Sequence, residues 1–128
     1  MTEKPILYNC RRGYANEVAV LLKGSINVNE EDELGQTSLI IAAQAGHLDI
    51  VNMLLAYKGV AVDIQDHQGF SAVHRATWRN HVEVVQALIK KGANLTLKNI
   101  DGNTARDLSH SDEMDDLYDR LVVDDDDE

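Results

Sequence analysis

The 128-residue sequence predicts an all-α fold, a solenoid of about three helix-turn-helix repeats with short β-hairpin or turn fingers, closed by a C-terminal pair of capping helices. Three observations predict it. A block of residues recurs at an offset of 33 or 34, cap residues and glycines hold the same phase in each copy, and the apolar residues of each copy follow helical spacing.

The central copy is the clearest. Gly35-Gln36-Thr37-Ser38-Leu39 leads through Ala42 to Gly46-His47-Leu48-Asp49-Ile50-Val51 and Leu54-Leu55. Thirty-four residues on, Gly69, Ser71, Val73, Ala76, His81-Val82-Glu83-Val84-Val85 and Leu88-Ile89 restate it. Upstream, Pro5, Gly13, Val18 and Leu21-Leu22 match Ser38, Gly46, Val51 and Leu54-Leu55; downstream, Gly102, Thr104 and Ala105 match Gly69, Ser71 and Ala72.

Within each copy the residue types specify local structure. Thr37, Ser71 and Thr104 precede short apolar runs, where a side-chain oxygen accepts from an unpaired first-turn amide. Pro5, the only proline, falls at the first helical position, where its missing N–H has no partner to lose. Gly13 and Gly46 are placed to end their helices in the left-handed conformation, and Asn80 takes that place in the third copy. Leu48, Ile50, Val51, Leu54 and Leu55, and then Val82, Val84, Val85, Leu88 and Ile89, predict the second helix of each repeat. Met114, Leu117, Tyr118 and Leu121 recur at i, i+3, i+4, i+7 and predict a final helix over 113–123. Its other face, Asp115, Asp116, Asp119 and Arg120, reads as solvated surface. At the opposite end Tyr8, Asn9, Cys10, Arg11 and Arg12 replace the small apolar residues of the inner copies, as suits a helix with one side in water.

The chain resembles the ankyrin repeat family over roughly 4–123. The family motif Gly, any residue, Thr, Pro, Leu, His reads Gly69-Phe70-Ser71-Ala72-Val73-His74, and Gly35-Gln36-Thr37-Ser38-Leu39-Ile40 is a second copy without the His. The motif's Pro is absent from both, and Arg106 stands where the pattern has Leu. The resemblance implies one domain over 1–123, with repeats at about 4–34, 35–68 and 69–101 and a cap at 102–123. It also implies that finger tips and first helices line a concave groove that binds another protein. Carried over position by position, the tips are Glu33, Leu34 and Gln36; His67, Gln68 and Phe70; and Ile100, Asp101 and Asn103. The inner helices add Arg11, Arg12, Gln44, Ala45, Trp78 and Arg79, with Arg75 one turn before Arg79. Phe70 and Trp78, the only Phe and the only Trp, fall at groove positions, so Trp78-Arg79 beside Phe70 is the expected binding centre.

Charge is divided unevenly. Residues 112–128 hold ten acids and one base, −9, and the other 12 acids and 11 bases sum to −1, which together make the chain's −10. Asp124-Asp125-Asp126-Asp127-Glu128 repels itself and has nothing apolar to bury, so disorder is expected there. This balance disfavours nucleic acid as a partner. It also suggests a second function class, an escort of a basic client drawn in by the acidic tail. A third possibility is an interaction fragment of a larger protein.

Other classes find little support. The five histidines form no HExxH or CxxC-like ligand pattern, and His47, His74 and His81 sit at structural phases of the repeat. Cys10 lies in the first helix at the phase of Ala43, far along the stack from His74, and a glycine-rich phosphate loop is absent. No enzyme activity, cofactor or metal is expected. No apolar run approaches membrane length, Met1 to Lys4 is polar, and the single Cys10 suits a reducing compartment. The expectation is a monomer in the cytoplasm or nucleus. Ser109 and Ser111, ahead of Asp112 and Glu113, resemble sites of an acid-directed kinase, and Asn29 resembles the asparagine that hydroxylases modify in many ankyrin proteins.

Overall fold

A computed structural model describes residues 3–126, with side chains through Leu121. Seven α-helices follow in order: α1 (Pro5–Arg12), α2 (Ala15–Leu22), α3 (Ser38–Ala45), α4 (Leu48–Leu55), α5 (Ala72–Trp78), α6 (Val82–Lys90) and α7 (Asp112–Asp126), with a 3-10 turn (Arg106–Leu108) ahead of the last. They pack in two rows. The first helices α1, α3 and α5 lie side by side with the 3-10 turn beyond α5, and the second helices α2, α4 and α6 form the other row, ending on α7.

The local signals act as the residue types dictate. The Ile40 N–H donates to Thr37 Oγ1 (3.3 Å) and the His74 N–H to Ser71 Oγ (3.4 Å). Pro5 opens α1. Gly13 and Gly46 end α1 and α3 at φ +77°, and Asn80 does so after α5 at φ +63°. Apolar side chains then fill the space between the rows. Val18, Ile50, Val51, Leu54, Val85, Leu88 and Met114 are completely buried, and Leu54 sits in the central repeat with neighbours on both sides. At about 25 cal/mol per Å² of apolar surface, this continuous interior is the main stabilising term, and no repeat could supply it alone.

Three turns repeat one hydrogen-bond scheme. Asp32 Oδ1 accepts from the Leu34 and Gln36 N–H groups, Asp66 Oδ1 from Gln68 and Phe70, and Asn99 Oδ1 from Asp101 and Asn103, all at 2.9–3.0 Å. The turns are also tied to each other: the His67 N–H donates to the Leu34 carbonyl (3.0 Å) and the Ile100 N–H to the Gln68 carbonyl (2.9 Å). Asn29 makes a parallel tie, its Nδ2 donating to the Gly59 carbonyl and its Oδ1 accepting from the Ala61 N–H, both at 2.9 Å.

Of the two finger forms expected, β-hairpin or turn, the structure has turns, without strands among the described residues, and the Asp or Asn side chain takes their amide hydrogens. Two expectations are corrected. The closing unit is one α-helix after a 3-10 turn, not a helix pair. Asp107 Oδ2 accepts from the Thr104 N–H, and the backbone turns extended at Ser109, so the run of three residues stops. Finally, α7 continues to Asp126, past the end expected at Val123, with no glycine or proline to stop it. The segment expected to be disordered therefore begins inside the helix, and Asp127 and Glu128 lie outside the described residues. The cap itself is anchored as its apolar stripe predicts: Met114, Leu117 and Tyr118 are buried, and the Tyr118 hydroxyl meets Thr77 Oγ1 of α5 at 2.8 Å.

Candidate functional site

The first-helix row presents its outer face through the ends of α1, α3 and α5, where each helix turns toward its partner. A hollow of about 120 Å³ crosses all three helices, lined by Arg11, Ile41, Gln44, Ala45 and Arg79. Ile41 forms an apolar floor, 4% exposed. The backbone of this floor is tied across repeats by His81, whose Nε2 donates to the Gln44 carbonyl (3.0 Å).

The arginines are not equivalent. Arg11 is engaged: it donates to Glu3 at 2.6 Å and to Asp32 at 3.3 Å, and these carboxylates hold its pKa above the ordinary value. Arg12 lies over the Tyr8 ring, 5.7 Å from its centroid. Arg75 is nearly buried, bonded to Asp66 at 2.6 Å and stacked 3.9 Å above Phe70. Arg79 is exposed and forms no salt bridge among the described residues.

Trp78 closes α5 with 51% of its surface exposed. Its other side packs edge-on against His110, 5.7 Å between centroids, while His110 Nε2 donates to the Trp78 carbonyl at 2.8 Å. Phe70 precedes α5, so a helix of seven residues, about 10 Å, separates it from Trp78. Partly buried under Arg75 and edge-on to His74, Phe70 serves the fold more than a surface. Of the residues of the expected centre, Trp78 and Arg79 are exposed, while Arg75 and Phe70 form a packed unit beside the finger.

At the finger tips Leu34 (63%), Ile100 (74%), Glu33, His67, Gln68 and Asp101 are exposed, and Asn103 is partly so. Gln36 is the exception. Expected at the tip, it is only 7% exposed, because its backbone folds onto Asp32 to close the turn. Sequence reasoning missed His110, Asp66 and Ile41 as neighbours of the groove residues; nothing in the local pattern marks them.

Two groups of reactive type, Cys10 and His74, are buried. Burial pushes the Cys10 thiol up to about 12, so it holds its proton at neutral pH. His74 is fully buried and held neutral by burial, below its ordinary range. Its Nδ1 accepts from the Ser71 N–H (3.2 Å), which leaves the proton on Nε2 to donate to the Asn103 carbonyl (3.0 Å). Among the described residues no group of three His, Cys, Asp or Glu side chains is placed to hold a metal ion, and no helix is long and apolar enough to cross a membrane.

Comparison with known proteins agrees with this architecture. Residues 6–99 match the family model for ankyrin repeats in three copies. The chain is 34% identical, over 81% of its length, to a Plasmodium falciparum protein provisionally named an E3 ubiquitin-protein ligase. It is 37% identical over 81% to human BCL-6 corepressor-like protein 1, and 33% identical over 63% to the Xenopus laevis inhibitor of Bruton tyrosine kinase. It spans 1%, 6% and 6% of these relatives' own lengths.

Proposed function

The chain belongs to the ankyrin repeat family, and we propose that it acts as a non-catalytic protein-interaction module, an adaptor, scaffold or inhibitor that binds a partner protein across its first helices and finger tips. Ankyrin repeats are general protein-interaction modules, and two of the relatives are named as a corepressor and an inhibitor. The reading rests on one observation above the others. Trp78, half exposed, stands next to an exposed Arg79 with no salt-bridge partner among the described residues, and these are residue types in which interface energy concentrates. In this reading the protein works as a monomer in the cytoplasm or nucleus and needs no cofactor.

Affinity capture from a cell lysate, followed by titration of the captured partner, tests it. Trp78→Ala and Arg79→Ala should keep the helical signal, Trp78→Ala with a modest fall in melting temperature as its contact with His110 is lost, yet each should weaken binding by about 2 kcal/mol or more, roughly thirtyfold. The escort reading has its own support, since α7 exposes Asp112, Glu113, Asp115, Asp116 and Asp119. Binding that collapses with added salt and ignores both Trp78→Ala and Arg79→Ala would replace the groove reading with that one.

A further inference from the structure

The groove face carries a charge pattern opposite to that of the chain. At the six outward positions that end the first helices stand Arg11, Arg12, Gln44, Ala45, Trp78 and Arg79: three cations and no anion, in a protein of net charge −10. Glu3 and Asp32 reach one end of this row and pair with Arg11, whereas at the other end no carboxylate of the described residues pairs with Arg79. Between Arg11 and Arg79, the side-chain carbonyl oxygen of Gln44 is buried without a hydrogen-bond partner. An unpaired buried acceptor costs about 1–3 kcal/mol, so a donor brought by a ligand is rewarded there.

We propose that this face receives an acidic, extended segment of the partner protein, an inference that rests on the groove reading above and adds the partner's chemistry. A carboxylate of the segment pairs with Arg79, where no residue of this chain competes for the guanidinium among those described. Gln44 turns outward so that Oε1, buried without a partner in the free chain, accepts a backbone N–H of the segment. An extended chain offers such N–H groups along its length, whereas a helix has free ones only in its first turn. An apolar side chain next along covers the exposed half of Trp78. Arg11, half exposed and shared between Glu3 and Asp32, supplies weaker attraction at the other end of the hollow. A nucleic acid strand, the other common polyanion, fits less well: its evenly spaced phosphates would run alongside Glu33 and Asp101, whereas a peptide can place its carboxylates singly.

Selection of phage-displayed random peptides on the full chain tests this, with Trp78 as reporter. As the only tryptophan, half exposed, its emission shifts to shorter wavelength when the groove is filled. The selected pool should be rich in Asp and Glu. A synthetic peptide from it should shift Trp78 emission and lose about tenfold or more in affinity on Arg79→Glu, and less on Arg79→Gln. A groove-filling pool without acidic excess, a pool insensitive to Arg79→Glu, or no pool at all overturns the inference while leaving groove binding to larger partners standing. Peptides that bind with Trp78 emission unchanged and tolerate Trp78→Ala would sink the groove reading itself. Random single-stranded RNA that shifts the emission as strongly as the peptides would make nucleic acid the occupant.

Discussion

Gly69 and Gly102 occupy the same place in two turns of identical design. Both have φ +82°, and in both the N–H donates 2.9 Å to the carbonyl of the turn's Asp66 or Asn99. Their surroundings differ. A Cβ on Gly69 would lie 2.7 Å from the Asn99 Cα, in the backbone of the next finger, while a Cβ on Gly102 would meet nothing within 4 Å. The conformation is a local property written into each repeat, but the cost of changing it is set by the neighbour, and the last turn has none. The same contrast between an interior unit and an outer one should run through the whole stack.

The largest separation is expected in the helices. Leu54→Ala, in α4 with a repeat on either side, should cost roughly 2–5 kcal/mol, whereas Leu121→Ala, partly exposed on α7, should cost about 1 kcal/mol. Urea denaturation of the two variants measures the gap. Equal losses would mean that the cap is as tightly built as the centre. In the turns, Gly69→Ala should combine left-handed strain with a displaced backbone, about 3 kcal/mol or more, against about 1–2 kcal/mol of strain alone for Gly102→Ala. Similar melting points for these two variants would break the comparison at its origin.

The smallest effect concerns pH, through His74, which joins the third repeat to the outer turn at Asn103. Burial holds its folded-state pKa below the usual 6.5, so the unfolded chain takes the proton first. The stability contributed by neutral His74 is complete above about pH 6.5 and is lost as pH falls from there through the folded-state value. The melting temperature of the parent protein should therefore drop more steeply from neutral pH toward pH 5 than that of His74→Gln. Parallel slopes would show that the imidazole is not linked to folding.

Much of this architecture is legible in the sequence because its determinants are short-ranged. Thr37, Ser71, Gly46 and Asn80 act within one turn of chain, so their identity and phase suffice to place helix ends. The groove was legible as positions but not as contacts. Trp78 meets His110 across 32 residues, and Thr77 meets Tyr118 across 41. Neither pair has a periodic signature, since the cap departs from the repeat just where these contacts form. Arg75 shows the converse difficulty. It stands at the phase of Ile41, and only the packed geometry reveals that Phe70 and Asp66 let a cation fill a place that is apolar in the preceding copy.

The carbonyl-to-amide ties between successive turns, Leu34 to His67 and Gln68 to Ile100, make the central unit interchangeable with itself. A second copy of 35–68 spliced in after Gln68 would present its own His67 amide to the Gln68 carbonyl, and its own terminal carbonyl to Ile100. Each backbone tie between turns would be of a kind already present, while the two copies would meet across a new α3–α3 and α4–α4 interface. The row of first helices would lengthen by one Gln44-Ala45 step while Trp78 and the closing helix stayed as they are. The length of that row could thus be engineered, or diversified by duplication, without redesigning either end of the protein.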